Sequence, residues 1–178
     1  MNRNVLKGTI VMMLVLLLVA CSQNSNNDEP SPNDQTSSET IILYYSDDDL
    51  MDVYKVKADI AVEADQTSEQ VAIDAWLDGP EEPGLRQLLP AGTTAQFLRS
   101  EDEVAHVSFS EHIREATVGS GGEAAIVTQI TMLMKQFGHA KTQILVDEQI
   151  VTELLGHMTY DKPIEAENEA DFEWYTAE

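Results

Sequence analysis

Between Ile41 and Leu154 the apolar residues switch back and forth between a two-residue and a helical period, and this interleaving restricts the fold more than any other feature. Ile41-Ile42-Leu43-Tyr44-Tyr45 is a β-branched and aromatic run that reads as a strand, broken by Asp47-Asp48-Asp49. Val53 to Val62 alternates apolar with polar residues and reads as a second strand. Thr67 and Gln70 have capping-box spacing, which predicts a helix start. That helix is expected to run to about Leu77 and to stop at Asp78-Gly79-Pro80, where glycine ends it and proline forbids its continuation. Glu81 to Gly92 reads as a loop whose Leu85, Leu88 and Leu89 are pinned to the core, and Trp76 is expected to line the core too. Thr94 to Arg99 and Val104 to Ser110 form a hairpin pattern around Ser100-Glu101-Asp102-Glu103. Ser120-Gly121-Gly122-Glu123 repeats the capping-box spacing before a helix with Ile126, Ile130, Leu133, Met134 and Phe137 on one face. Thr142 to Val146 is a further strand, and Asp147-Glu148 turns into another from Ile150 to Leu154. The resulting order, β-β-α-β-β-α-β-β, predicts an α+β domain: a mixed β-sheet with two helices packed on it.

Ahead of this pattern stands a different kind of sequence. Met1 to Lys7 is basic, and Ile10 to Val19 is apolar without interruption, too short to span a bilayer comfortably and suited to a signal peptide. It ends in Leu18-Val19-Ala20-Cys21, which resembles the lipobox of bacterial lipoproteins. The resemblance implies lipid transfer to the Cys21 sulfur and cleavage after Ala20. Cys21 is the sole cysteine, so no disulfide framework exists. Residues 22–40 hold no aliphatic side chain and read as a disordered tether with a reach of roughly 25 Å. The expected organisation is therefore residues 1–20 as signal peptide, 21–40 as lipidated cysteine and tether, 41–163 as folded domain and 164–178 as an acidic tail. That tail is expected to fray, with Phe172, Trp174 and Tyr175 able to dock.

Charge narrows the partners. Removing Arg3 and Lys7 with the leader leaves 8 basic against 32 acidic residues, a formal charge of −24. Nucleic acid is excluded as a partner, because no basic patch is present to displace counterions from phosphates. Anionic headgroups would repel the domain as well, so attachment to a membrane would fall to the lipid on Cys21.

Catalytic and cofactor patterns are missing from the sequence. His106, His112, His139 and His157 lack helical zinc spacing and read as surface or turn histidines. Asp47-Asp48-Asp49 with Asp52 is the one cluster suggestive of calcium, yet it lacks the EF-hand glycine and closing glutamate, and a solvated turn is the preferred reading. Gly119-Ser120-Gly121-Gly122-Glu123 lacks the Lys-Ser/Thr ending of a P-loop, and Glu123 would repel an anion. No cofactor, metal or catalytic residue is expected, and enzyme activity is not.

Several segments together resemble the GerMN family of sporulation and spore-germination proteins. They are Leu43-Tyr44-Tyr45-Ser46-Asp47, Trp76-Leu77-Asp78-Gly79-Pro80, the run from Gly84 to Thr93, and Val104 to Ser110. Gly121-Gly122-Glu123, Gln129, Gln136-Phe137 and Gly156-His157 follow in the family's order. Phe109, Gly138 and the turn Asp147-Glu148-Gln149 depart from its usual residues. The resemblance implies a fold similar to the ring-building modules of secretion machines, an exported or lipid-anchored location, no enzymatic role, and assembly with other envelope proteins. The runner-up reading is a ligand- or calcium-binding surface lipoprotein.

Overall fold

The computed structural model describes residues 36–177; the leader, Cys21 and nearly all of the tether lie outside that range. Two hairpins and two helices make the frame. β1 (Ser37–Asp47) and β2 (Val53–Val62) pair antiparallel from Ser37↔Val62 to Ser46↔Val53. β1 therefore starts four residues before the apolar run that marked it. The polar residues Ser37 to Thr40 are extended because β2 is long enough to pair with them, and Thr40 donates to Asp59 across the pair at 2.7 Å.

α1 (Ser68–Asp78) starts where expected, with the Thr67 hydroxyl accepting from the Gln70 N–H, and ends at Gly79 with φ at +90°. The Gln70 side chain does not return to complete the box; it reaches instead to the neighbouring β-hairpin. After the two-residue β3 (Leu85–Arg86) come β4 (Ala95–Glu101) and β5 (Val104–Phe109). The turn between them uses Asp102 and Glu103, both at positive φ.

α2 (Ser120–Lys135) differs from the predicted capping pattern at its start. Gly119 is the cap residue, Ser120 is already helical, and no side chain closes the first turn. Ile126, Ile130, Leu133 and Met134 are buried as the periodicity predicted. β6 (Lys141–Val146) then lies parallel to β5. Only β7 (Gln149–Ile150) survives of the strand expected to reach Leu154; beyond it the chain is irregular, with an isolated bridge between Glu153 and Thr159.

The last segment corrects the expectation of a frayed tail. β8 (Ile164–Glu165) pairs with β6, and β9 (Glu173–Trp174) pairs in parallel with β2. Acidic composition misleads here because the aromatic residues find receptors: Phe172 meets Tyr44 edge-on at 5.4 Å and Tyr175 meets Tyr54 at 5.8 Å.

The fold class is α+β, with two mixed sheets where the sequence suggested one. Their orders are β3-β1-β2-β9 and β4-β5-β6-β7, with β8 on β6. Trp76 sits fully buried at the heart of the shared core, edge-on to Phe109, and its indole N–H reaches the Tyr44 carbonyl and Gln129. Leu85, Leu88 and Leu89 line that core.

Candidate interaction surface

The tempting acidic cluster is a turn. Asp47 Oδ1 accepts from the Met51 and Asp52 N–H groups at 2.8 and 3.4 Å, so it caps the chain reversal between β1 and β2. Among the described residues no group of three or more His, Cys, Asp or Glu side chains is placed to hold a metal ion. Cys21 lies outside the described residues.

The histidines divide. His112 bonds the Ala91 carbonyl and His157 the Val118 carbonyl, as turn residues do. His106 is held below its usual pKa by partial burial and by Arg99, with Glu101 opposing. His139 overturns the surface reading: it is 7% exposed, lies against Phe97, and spans 3.1 Å to both Ser100 Oγ and Glu69 Oε1. It ties the start of α1 to the end of β4. Burial came from the approach of those two elements, which spacing along the chain does not reveal.

Glu123 was read as a helix cap and is instead a fully buried anchor. Its two carboxylate oxygens accept from the backbone N–H groups of Leu155 and His157, at 3.2 and 3.1 Å. A buried carboxylate needs such partners, and here they fix the irregular segment after β7 against α2. Gly122 beside it has no room for a side chain, since a Cβ would stand 2.6 Å from that of Val118.

Side-chain amides close the strand edges. On β1 the outward N–H and C=O of Ile42 both bond the Gln136 amide, at 2.9 and 3.0 Å. The next outward carbonyl, Tyr44, takes the Trp76 indole, and Ser46 pairs with β3. Gln129, wholly buried, bridges Trp76 to the Ser46 hydroxyl. On β4 the Gln70 amide bonds the Ala95 carbonyl and the Phe97 N–H in the same manner. Sequence reasoning singled out Gln129 and Gln136 only through the family resemblance, and assigned Gln70 to a capping box rather than to the β4 edge. An amide side chain on a helix beside a strand pattern is the available signal, and it is a weak one.

The β2 edge is treated differently. Lys55, Lys57, Asp59 and Ala61 oppose β1 residues whose polar groups point away from β2, so their own N–H and C=O groups face outward too. The chain's C-terminal strap covers only the first of them: Tyr175 N–H donates to the Lys55 carbonyl at 3.0 Å. Lys55 is itself buried, 3.7 Å from Glu169, and with Lys57 it lies over the Trp174 ring at 4.9 and 5.2 Å. Tyr175 then turns away, its hydroxyl donating to the Pro83 carbonyl. From Lys57 onward the edge has no partner strand among the described residues.

Beside this open stretch runs a groove of about 400 Å³. Leu43, Tyr45, Val56, Ala58 and Ala75 form its floor, and Asp59, Asp78, Glu81 and Glu82 stand around it. The Tyr45 hydroxyl donates to the Trp76 carbonyl, and its pKa is pushed up by burial and further by Glu82 and Asp78.

Comparisons with known proteins bear on this fold. The sequence profile of the family described as Germane, sporulation and spore germination, matches residues 42–152. The chain is similar to the tandem GerMN domains of the sporulation protein GerM from Bacillus subtilis, at 23% identity and a TM-score of 0.57, covering 76% of this chain and 48% of that one. It therefore spans about half the length of that relative. The first GerMN domain of the same protein superposes with a TM-score of 0.53 at 24% identity, covering 75% of this chain and 99% of the other. No curated protein sequence matches. The profile ends before the strap, so β8, β9 and the aromatic residues docked on β2 lie beyond the matched segment. With the profile covering more than half of its length and the fold in agreement, this chain belongs to the Germane family of sporulation and spore-germination proteins and carries a GerMN domain.

Proposed function

We propose that the chain is an exported protein, anchored to the membrane by a lipid on Cys21, whose single GerMN domain serves as a non-catalytic assembly or adaptor module in the cell envelope. In a host that forms spores, its place is in sporulation or germination. The observation that carries the reading is the GerMN domain itself, matched from residue 42 to 152 and placed behind a lipobox-like leader. The domain's acidity supports the division of labour: it is repelled by anionic headgroups, so the lipid holds the chain while the domain remains free to meet proteins. The open β2 edge offers such a contact.

A palmitate analogue fed to cells is expected to label the chain and to fail with Cys21→Ser, which should also move the protein from the membrane to the soluble fraction. Continued labelling and cleavage of Cys21→Ser would remove the anchor from the reading. Cross-linking in intact cells is expected to join the domain to envelope proteins; an exclusively unlinked chain would count against assembly.

A further inference from the structure

We infer that the open stretch of the β2 edge, Lys57 to Ala61, receives an extended, lysine- or arginine-bearing peptide segment of a partner protein as an added strand. The inference rests on the assembly reading and specifies where and with what the domain assembles.

Three observations meet at this edge. Among the described residues the outward N–H and C=O groups of Lys57, Asp59 and Ala61 form a row of unmatched donors and acceptors. By contrast, Gln136 takes both outward groups of Ile42 on β1, and Gln70 takes the Ala95 carbonyl and Phe97 N–H on β4. Proteins usually blunt such edges, because an unpaired row is a template for another strand. The edge also already accepts a strand: β9 pairs with Tyr54 and Lys55 and then leaves, and an incoming segment would continue the sheet from that point. Strand addition of this kind takes its affinity from the main chain and its specificity from alternate side chains.

Those alternate side chains would enter the groove. Its floor of Val56, Ala58, Leu43 and Tyr45 suits the methylene stem of a lysine or arginine, and Asp78, Glu81 and Glu82 stand where the charged head would emerge. Lys57 is the single cation of that lining. A second copy of this chain is a poor occupant, since its formal charge is −22 and like charges would meet at the rim. The chain's own residues 22–35 contain no lysine or arginine and cannot supply the charge.

The probe is a fluorescent ten-residue peptide alternating lysine and valine, titrated against the full chain and read by anisotropy. It is expected to bind, while a glutamate–valine counterpart does not. Because a strand uses alternate amides on one edge, N-methylation of all the lysines or of all the valines should separate: one form loses binding at least tenfold and the other keeps it. Asp78→Asn with Glu81→Gln and Glu82→Gln should weaken the unmodified peptide about tenfold. Equal binding of both methylated forms, equal loss in both, or no binding of the lysine peptide would overturn the inference. In cells, a photo-cross-linker at Ala61 should capture a partner that one at Glu148 does not. Capture from Glu148 alone would sink the edge as the docking site while leaving the assembly reading intact.

Discussion

The two strands of the first hairpin share a ladder of ten residue pairs yet present opposite outer edges. Along β1, from Ile42 to Ser46, helix side chains and a short strand meet the outer edge: the Gln136 amide at both groups of Ile42, the Trp76 indole at the Tyr44 carbonyl, β3 at Ser46. Along β2 the corresponding groups meet the strap at Lys55 and then no described residue. Both edges are made of the same backbone chemistry, so the difference lies in what packs beside them. α2 runs along β1 and brings the buried Gln129 amide and, just past its end, the exposed Gln136 amide. β2 packs its inner face in the core, and at its outer edge the one neighbouring strand among the described residues is β9, beyond the family-matched segment. Closing an edge with glutamine keeps the strand satisfied without recruiting another strand. Leaving one open retains a place for recruitment, at the risk of unwanted pairing, and a surrounding of carboxylates selects against acidic copies of the same chain.

The sharpest way to break the contrast is at Gln129, the most deeply buried of the sealing amides. Gln129→Leu keeps the volume but removes both hydrogen bonds, leaving the Ser46 hydroxyl without its donor and the Trp76 indole with only the Tyr44 carbonyl. Stranding buried polar groups costs about 1–3 kcal/mol each, so a loss of about 3 kcal/mol in urea-monitored stability is expected. A loss below about 1 kcal/mol would mean that β1 is not held by this network. Gln136→Leu should cost less, about 1 kcal/mol, because Gln136 is exposed and water can replace it. Its more telling effect is on exchange: the Ile42 amide, hydrogen-bonded to Gln136 in the unaltered chain, should on its loss exchange about as fast as that of Lys57. If the two amides exchange alike before the substitution, the edges do not differ in solution.

Much of this frame was legible in the sequence because period and punctuation act locally. The β1–β2 and β4–β5 hairpins, the stop at Gly79, and the buried face Ile126, Ile130, Leu133 and Met134 follow from side-chain spacing alone. What escaped was set by distant neighbours. Glu123 fits a capping box by spacing, but Leu155 and His157, more than thirty residues on, turn it into a buried anchor. His139 looks like a turn residue until Glu69 and Ser100 close over it. The strap looks disordered because 164–178 is acidic, while a few aromatic contacts and one lysine decide its place. The interaction surface was the least legible of all. Alternation along Val53 to Val62 predicts a strand and its two faces, yet an edge is defined by the strand that is not beside it.

The smallest effect on folding is expected at the open edge, and its smallness is informative. Ala61 is exposed near the end of β2, and its main chain points away from β1. Ala61→Lys adds a solvated side chain where no described residue packs, so stability should change by less than about 0.5 kcal/mol. Lysine is nevertheless among the residues that proteins use to protect exposed edges. Placed here it would set a positive charge beside the groove and repel a lysine-bearing strand. Thermal melts of the variant should therefore overlay those of the parent, while affinity for the lysine–valine peptide falls severalfold. A melting shift as large as that of Gln129→Leu would show that Ala61 is covered, and the two edges of the hairpin would then be closed alike.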